Sequence, residues 1–160
     1  RELVNDIQES CNIGVLDGMD FVYLDRIQSK QSLRIHLDVG NRVPAYCTSG
    51  GKVLLAHLKP KMRRNLVELK ELKIHTKTTL TTLSGLEKSF KTALNLGYSV
   101  NNQELTAGIV GVAVPITDST GRAIAALACH APLARTSLDR LITYIPKLQA
   151  SAQNLGLYWS

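Results

Sequence analysis

The stretch IVGVAVPIT-DSTG-RAIAALACHA, residues 109–131, decides the fold of this chain. Two apolar runs, Ile109–Thr117 and Arg122–Ala131, flank four turn-forming residues, Asp118–Gly121. Apolar runs of this length on either side of such a turn predict an antiparallel β-hairpin. The chain therefore has at least one long buried hairpin, and the remaining elements are expected to pack around it.

Upstream, the same pattern recurs in shorter form. Residues 12–16 and 21–27 predict two strands, and Asp17-Gly18 between them favours a tight turn. The alternation in Leu33–Leu37 predicts a third strand, whereas the polar run Asn101–Glu104 and the threonine-rich residues 76–82 predict loops. We therefore expect an α+β domain over residues 1–160, with an antiparallel sheet of about six strands flanked by helices.

Helical spacing of apolar residues accounts for the rest of the chain. Helices are predicted over residues 2–10, 48–58, 60–69, 84–97 and 138–155. Pro60 separates the second helix from the third, Ser84–Glu87 has a capping-box pattern, and Gly97 ends the fourth helix. Pro146 is predicted to kink the last one.

Composition narrows the class of protein. The 160 residues are 44% hydrophobic and 20% charged, with a net charge of +6. No apolar run approaches the roughly 20 residues of a membrane helix, so no membrane contact is expected. Three widely spaced cysteines favour a reducing, cytoplasmic location. The basic runs near Lys59–Arg64 and Lys70–Lys77 are interpreted as solvated surface.

Catalytic and cofactor motifs are absent from the sequence, so no enzyme activity, cofactor or metal is predicted. Ser49-Gly50-Gly51-Lys52 is too short for a phosphate-binding loop, and Val53 follows the lysine where that loop has a hydroxyl residue. At a helix start, these small residues would either bind an anion through backbone N–H groups or let helix and sheet pack closely. Spacing alone leaves both interpretations open.

Histidine and cysteine positions offer weaker alternatives. None has zinc-ligand spacing, although a metal site built from distant His36, Cys47 and His130 is conceivable, as is a nucleophilic pair of Cys47 with either histidine. Cys129 and His130 would face opposite sides of a strand. Arg34 and His36 would share a strand face, either exposed to solvent or binding a carboxylate.

Three blocks of sequence resemble the IclR family of transcriptional regulators. Residues 40–56, GNRVPAYCTSGGKVLLA, are similar to the family pattern G-x-R-x-P-x-x-x-T-x-x-G-K-x-x-L-A. Residues 97–116 are similar to G-Y-x-x-[D/N]-x-E-x-x-x-G-x-x-x-[I/V]-A-x-P-[V/I], and the segment from Asp118 through Pro132 to Arg135 fits the block that follows. Thr76 and Thr79 match spaced threonines of the family.

The resemblance implies a GAF-like effector-binding domain with a pocket between the sheet and the Gly-Lys helix start. Ligands of the family are typically small metabolites, often carboxylates or aromatic acids. Carried onto this sequence, the implied ligand residues are the Ser49 and Gly50 amides, Asn101, Ala128 and His130, with an apolar wall of Ile35, Val43, Ile109 and Gly111; Arg34 adds the candidate cation noted above.

This sequence departs from the family at three of those positions. Asn101 replaces a frequent acid, while Ala128 and His130 replace small hydroxyl residues. These departures favour a larger, for example aromatic, acid over a two- or three-carbon acid. The resemblance further implies DNA binding through an upstream winged helix-turn-helix domain and assembly into a homodimer or homotetramer. The alternatives are a pure oligomerisation module and a small Cys/His-dependent enzyme.

Overall fold

A central antiparallel sheet organises the domain. The computed structural model describes residues 1–159. Over these residues the strands are β1 (Ser10–Asp17), β2 (Asp20–Ile27), β3 (Arg42–Pro44), β4 (Ser99–Asn102), β5 (Ile109–Thr117) and β6 (Ala123–Pro132), and the helices are α1 (Glu2–Ile7), α2 (Ser49–His57), α3 (Pro60–Leu69), α4 (Leu83–Leu96), α5 (Leu138–Ile142) and α6 (Ile145–Gly156). The α+β architecture predicted from the sequence is confirmed.

The two predicted hairpins form the middle of the sheet. The strand order is β3-β2-β1-β6-β5-β4, with every neighbouring pair antiparallel. The first hairpin turns at Gly18, whose φ of 61° is a left-handed conformation that glycine adopts without strain. The second pairs nine residues of β5 with β6, so the longest apolar strands of the sequence lie side by side.

One face of the sheet is apolar over most of its area. Alternate residues such as Cys11, Val112, Leu127 and Cys129 point to this side, which α1, α5 and α6 cover. We call it the apolar face. Leu148 of α6 is completely buried there. Period-two alternation and an amphipathic helix therefore build this layer.

The opposite face is mixed in character, and we call it the site face. Part of it packs against α2 and α4 around Phe21, Ala113 and Ala126. The remainder carries Asn12 and His130, which are polar yet buried. The helices therefore leave part of this face to another covering element.

Several predictions about local structure are wrong. Residues 33–37 form no strand, and the edge strand next to β2 is β3. Asn101 and Asn102, the first half of the loop predicted over Asn101–Glu104, are the end of strand β4 (Ser99–Asn102), which pairs with β5. The last helix is two helices, with Pro146 in the first turn of α6, where its missing N–H costs no helical bond. Thr82, and not Ser84, caps α4.

Candidate functional site

A cavity of about 240 Å³ lies on the site face. Residues 33–37 run across the sheet above it, and we call them the crossing segment. The lining comes from the crossing segment, β2, the start of α2, and β4 to β6: Tyr23, Leu33, Arg34, Ile35, Leu37, Thr48, Asn101, Leu105, Thr106, Ile109, His130 and Pro132. The walls are thus largely apolar, with a few polar groups among them, which is the usual character of a small-molecule site.

Two arginines hold the crossing segment in place through its backbone. Arg26 donates hydrogen bonds to the carbonyl oxygens of Ile35 and Leu37, the latter at 3.2 Å. Arg135 donates to the Leu33 carbonyl and forms an ion pair with buried Glu9 at 2.6 Å. These side chains satisfy carbonyl groups that a strand would have satisfied, which explains why the alternating sequence stays extended without joining the sheet.

His130 is buried on the site face and lines the cavity. Burial, and to a lesser degree the charge of Arg26, lowers the pKa of His130 from 6.5 to about 4. Its ring is therefore neutral at pH 7. Its Nδ1 lies 3.1 Å from the amide nitrogen of Asn12, which can only donate. Nδ1 is then the acceptor, and the ring proton resides on Nε2.

The Nε2 edge of this ring faces away from Asn12. An ideal Cβ on Gly111 would lie 3.1 Å from Nε2 and 2.5 Å from Cδ2, so the ring occupies the space above Gly111. Within residues 1–159, Nε2 has no hydrogen-bond partner. His130 thus presents a neutral N–H donor on the side of the ring toward β5.

Tyr23 contributes a second donor. It lies on β2 with its ring edge against Phe21, at a centroid distance of 5.3 Å. Burial raises the pKa of Tyr23 to about 12, so the hydroxyl keeps its proton at neutral pH. In the part of the chain that the structure describes, this hydroxyl makes no hydrogen bond. It is therefore available to a ligand.

Asn101 lies near the end of β4 and is held in a fixed orientation. Its Oδ1 accepts a hydrogen bond from the Glu104 amide at 2.9 Å, which leaves its amide nitrogen as a donor. Threonine hydroxyls of the loop before α4 support the same backbone: Thr76 donates to the Gln103 carbonyl at 2.6 Å and Thr79 to that of Glu104 at 2.7 Å. The spaced threonines noted in the sequence therefore hold the polar run.

The start of α2 is tightly packed. Thr48 caps the helix by accepting from the Gly51 amide at 3.2 Å. A Cβ on Gly50 would lie 2.5 Å from the Phe21 ring, and one on Gly51 would lie 2.3 Å from the Ala45 backbone. Of the two interpretations left open by the sequence, close packing accounts for both glycines. The first-turn amides of Ser49 and Gly50 have no intrahelical acceptor.

Lys52 forms a buried ion pair next to this helix start. Its ammonium nitrogen lies 2.7 Å from Oε1 of Glu104, and both side chains are more than 90% buried. The pair ties α2 to the loop after β4. Sequence reasoning gave Lys52 no structural partner, because Glu104 is 52 residues away in the chain.

The structure brings together five of the ten predicted site residues and separates the others from the cavity. Arg34, Ile35, Asn101, Ile109 and His130 line it. The residues that do not line it are Ser49, Gly50, Val43, Gly111 and Ala128. Ala128 is completely buried against the α2 layer, Val43 packs there too, and the His130 ring fills the space above Gly111, so these positions add no room.

Tyr23 and Thr48 are the lining residues of most chemical interest that sequence reasoning missed. Thr48 belongs to the motif that resembles the IclR pattern, so that motif was a usable signal. Tyr23 carried no such signal, since the sequence placed it only within a predicted strand over residues 21–27.

The metal and nucleophile alternatives lose their geometric basis. Cys47 is completely buried, and burial raises the pKa of its thiol to about 12, whereas a nucleophilic thiol needs a lowered pKa. His36 is exposed beside Asp38 at 3.4 Å. Among residues 1–159, no three His, Cys, Asp or Glu side chains cluster as metal ligands would. No helix in that range is long and apolar enough to cross a membrane.

An antiparallel sheet with a donor-lined cavity beneath a crossing segment defines an α+β domain with a candidate small-molecule site. The family described as "Bacterial transcriptional regulator IclR C-terminal" matches residues 1–157. The chain therefore belongs to the IclR family of transcriptional regulators, as its C-terminal domain.

Individual relatives agree with this assignment. The chain is 39% identical over 155 residues to the probable transcriptional regulator SauR of Cupriavidus necator, covering 97% of this chain and 62% of SauR. It is 34% identical over 156 residues to the regulator KdgR of Escherichia coli, covering 98% of this chain and 59% of KdgR. The chain thus spans about three fifths of the length of these curated relatives.

A solved structure adds a bound ligand to the comparison. The inducer-binding domain of the transcription factor PobR from Acinetobacter, a double mutant in complex with 3-hydroxybenzoic acid, superposes with a TM-score of 0.91 at 29% identity. The match covers 98% of this chain and 93% of that one. The fold of the present chain is therefore that of a domain whose ligand complex is known.

Proposed function

We propose that this domain binds a small organic acid in the 240 Å³ cavity and thereby controls DNA binding by the regulator to which it belongs. The observation that carries the proposal is the polarity of the lining. Tyr23, Asn101 and His130 offer hydrogen-bond donors, and Arg34 adds a positive charge. Aspartate and glutamate are missing among the lining residues, so the cavity favours a ligand that is an acceptor with negative charge.

Most cationic side chains around the cavity have partners within the protein, and one is left for a ligand. Lys52 is neutralised by Glu104, Arg135 by Glu9, and Arg26 is committed to the crossing segment. Arg34 has no ion-pair partner within residues 1–159. It is exposed at the cavity rim, where it is available to a carboxylate.

Cavity size limits the ligand to a small molecule. A cavity of about 150 Å³ accommodates benzene in a well-studied engineered case. The cavity here is larger, at about 240 Å³, and has apolar walls of Leu105, Ile109 and Pro132. An acid with one aromatic ring or a short carbon skeleton fits these dimensions, and the 3-hydroxybenzoic acid held by the PobR domain is of this kind.

Control of DNA binding follows from linkage between the two sites. A ligand that binds better to one conformation of the regulator shifts its population, with a coupling of typically ~1–3 kcal/mol. DNA would be bound by a winged helix-turn-helix domain upstream, and the regulator would act as a homodimer or homotetramer. Both of these, and a cytoplasmic location, remain predictions.

The direct experiment is calorimetric titration and thermal shift of this domain with benzoate, hydroxybenzoates and short aliphatic acids, each beside its uncharged amide. An acid at 100 times its Kd stabilises the fold by ~2.7 kcal/mol. The acids are expected to bind and the amides to bind far more weakly. Equal binding of acid and amide would contradict the acid-binding assignment, and no binding by any compound would contradict the sensor assignment.

Arg34→Gln tests the role of the charge. Loss of one charge-assisted contact is expected to weaken acid binding about tenfold, because such contacts contribute ~1.5–3 kcal/mol before discounting for exposure. Lys30→Gln is the matched control, since Lys30 is an exposed cation of the same connection that does not line the cavity. An equal effect of both substitutions would indicate a general charge effect.

A further inference from the structure

Two cysteines face each other across the middle of the sheet, on the side opposite the cavity. Cys11 of β1 and Cys129 of β6 are direct partners in the antiparallel register. Directly opposed residues in such a pair have Cα atoms ~4.5–5.5 Å apart, which lies within the 4.4–6.8 Å span of disulfides. Both belong to the apolar face, and both are free thiols here. The backbone is thus already placed for a cross-strand bond.

The two thiols differ in their access to small molecules. Cys129 is completely buried, whereas Cys11 lines a groove of about 500 Å³ between α1, α6 and the first hairpin. Leu3, Val4 and Leu155 form apolar parts of its wall. A small uncharged oxidant therefore reaches the sulfur of Cys11 first, and Cys129 lies behind it.

We propose that Cys11 and Cys129 form an oxidisable pair that a hydroperoxide converts to a disulfide. In the first step the Cys11 sulfur attacks the peroxide O–O bond, which gives a sulfenic acid and releases water or an alcohol. In the second step the Cys129 sulfur displaces the hydroxyl group from Cys11, so that the S–S bond forms and a second water leaves. The two thiols together lose two electrons, and these electrons reduce one peroxide.

Protonation sets the order and the pH dependence of these steps. Contact with the Cys11 thiol, together with burial, raises the pKa of Cys129 well above its ordinary value. Cys129 therefore remains a thiol while Cys11 reacts. Because the thiolate is the nucleophile, the attack of Cys129 on the Cys11 sulfenic acid is expected to become faster as the pH increases.

The position of the pair connects it to the cavity. Asn12 follows Cys11 and His130 follows Cys129, and on the site face these two neighbours form the 3.1 Å hydrogen bond that orients the imidazole. A bond between the cysteines fixes their side-chain geometry, and with it the local spacing of the two strands that carry this hydrogen bond. Oxidation is accordingly expected to shift the His130 ring, a consequence that rests on the proposed function only for its effect on ligand binding.

Intact-mass measurement and peptide mapping of the reduced domain after treatment with hydrogen peroxide test the proposal. A loss of about 2 Da is expected, with the peptides of Cys11 and Cys129 linked. Cys47→Ser is the matched control, because Cys47 is also buried but belongs to the α2 layer, and it should leave the link intact. Cys129→Ala should stop at a sulfenic acid on Cys11 that dimedone labels.

Several outcomes would overturn the proposal. These are an unchanged mass under tenfold excess peroxide at pH 9, a link to Cys47, or dimedone labelling of Cys129 in the wild-type domain. The wild-type map decides the question even where a variant fails to fold. Nitrogen-15 shifts of the imidazole, recorded before and after oxidation, test the connection to His130 separately from any ligand titration.

Discussion

The two faces of the sheet share the same strands and differ in almost everything else. On the apolar face, Leu127 and Cys129 of β6 pack against helices, with only dispersion and burial to hold them. On the site face, Ala128 and the neutral imidazole of His130, from the same strand, belong to a layer that also contains an ion pair and a cavity. Because side chains alternate along a strand, one ten-residue segment serves both layers.

The apolar face therefore contributes packing to stability, whereas the candidate site lies on the opposite face. The apolar face is covered by α1, α5 and α6, apart from the groove that Cys11 lines. The site face pairs buried polar groups from distant parts of the chain, such as Asn12 with His130 and Lys52 with Glu104. Within residues 1–159, Oδ1 of Asn12 and Oε2 of Glu104 have no hydrogen-bond partner. We therefore expect that shortening a buried apolar side chain destabilises the apolar face. Removing one member of a buried polar pair should destabilise the site face.

Breaking the Lys52–Glu104 pair should have the largest effect. Lys52→Met leaves the Glu104 carboxylate buried without its cation and is expected to reduce the free energy of unfolding by ~3–5 kcal/mol in urea denaturation. The double variant Lys52→Met, Glu104→Gln should recover most of the loss. Lys147→Met, which breaks a half-exposed pair with Asp6, should cost no more than ~1 kcal/mol. Similar losses for both lysines would contradict the contrast.

Truncation on the apolar face should come next. Leu148→Ala removes a completely buried side chain from α6 and is expected to cost ~2–5 kcal/mol in the same assay, because a cavity replaces the methyl groups. Acid binding measured by calorimetry should stay unchanged, since the side chain lies across the sheet from the cavity. Leu94→Ala, at a half-exposed leucine, is the control for leucine loss in a helix. A change in ligand affinity with Leu148→Ala would show that the faces are not independent.

Acidification should act through His130. Its pKa falls from 6.5 in the unfolded chain to about 4 in the fold, so between these pH values the unfolded chain binds more protons. The stabilisation is complete above pH 6.5 and is lost as the pH decreases toward 4, with an expected total of about 3 kcal/mol. Urea denaturation across this range, beside His130→Gln, isolates the contribution of this one ring. Parallel pH profiles for the two proteins would refute the assignment.

A methyl group on Gly111 should have the smallest of these effects. An alanine Cβ there would meet the His130 ring at 2.5 Å, so the ring must shift, and the expected cost is ~1–3 kcal/mol. Acid binding should weaken at the same time because the Nε2 donor moves. In the double variant Gly111→Ala, His130→Ala the clash is absent. Its loss of stability should therefore be smaller than the sum of the losses in the two single variants. Simple additivity would place the ring elsewhere.

Much of the fold could be predicted from the sequence because its signals are local. The Asp17-Gly18 and Asp118–Gly121 turns lie between strands, and Gly97 ends α4 with a left-handed φ of 78°. The failures came from distant partners. Residues 33–37 alternate like a strand, but Arg135, about a hundred positions away, donates a hydrogen bond to the Leu33 carbonyl oxygen. In a sheet, a neighbouring strand would have made that hydrogen bond. The local pattern of a short stretch of sequence cannot show a partner that lies so far along the chain.

The candidate site was less predictable for the same reason. Sequence and family resemblance placed Asn101 and His130 at a pocket, and both line the cavity. Burial keeps the His130 ring neutral, and the tautomer of the ring is fixed by Asn12, which is 118 residues away. Gly50 and Gly111 were interpreted as ligand positions, yet their missing side chains make room for Phe21 and for His130. A glycine in a motif indicates a close approach without showing which group approaches.

The way in which the crossing segment is held has a consequence for how ligand specificity changes over evolution among domains with this fold. Arg26 and Arg135 bind main-chain carbonyl oxygens of Leu33, Ile35 and Leu37. Every amino acid offers that same oxygen. The side chains that form this wall of the cavity can therefore be exchanged while the wall keeps its place, so descendants of one scaffold can recognise new molecules without first rebuilding the support beneath them.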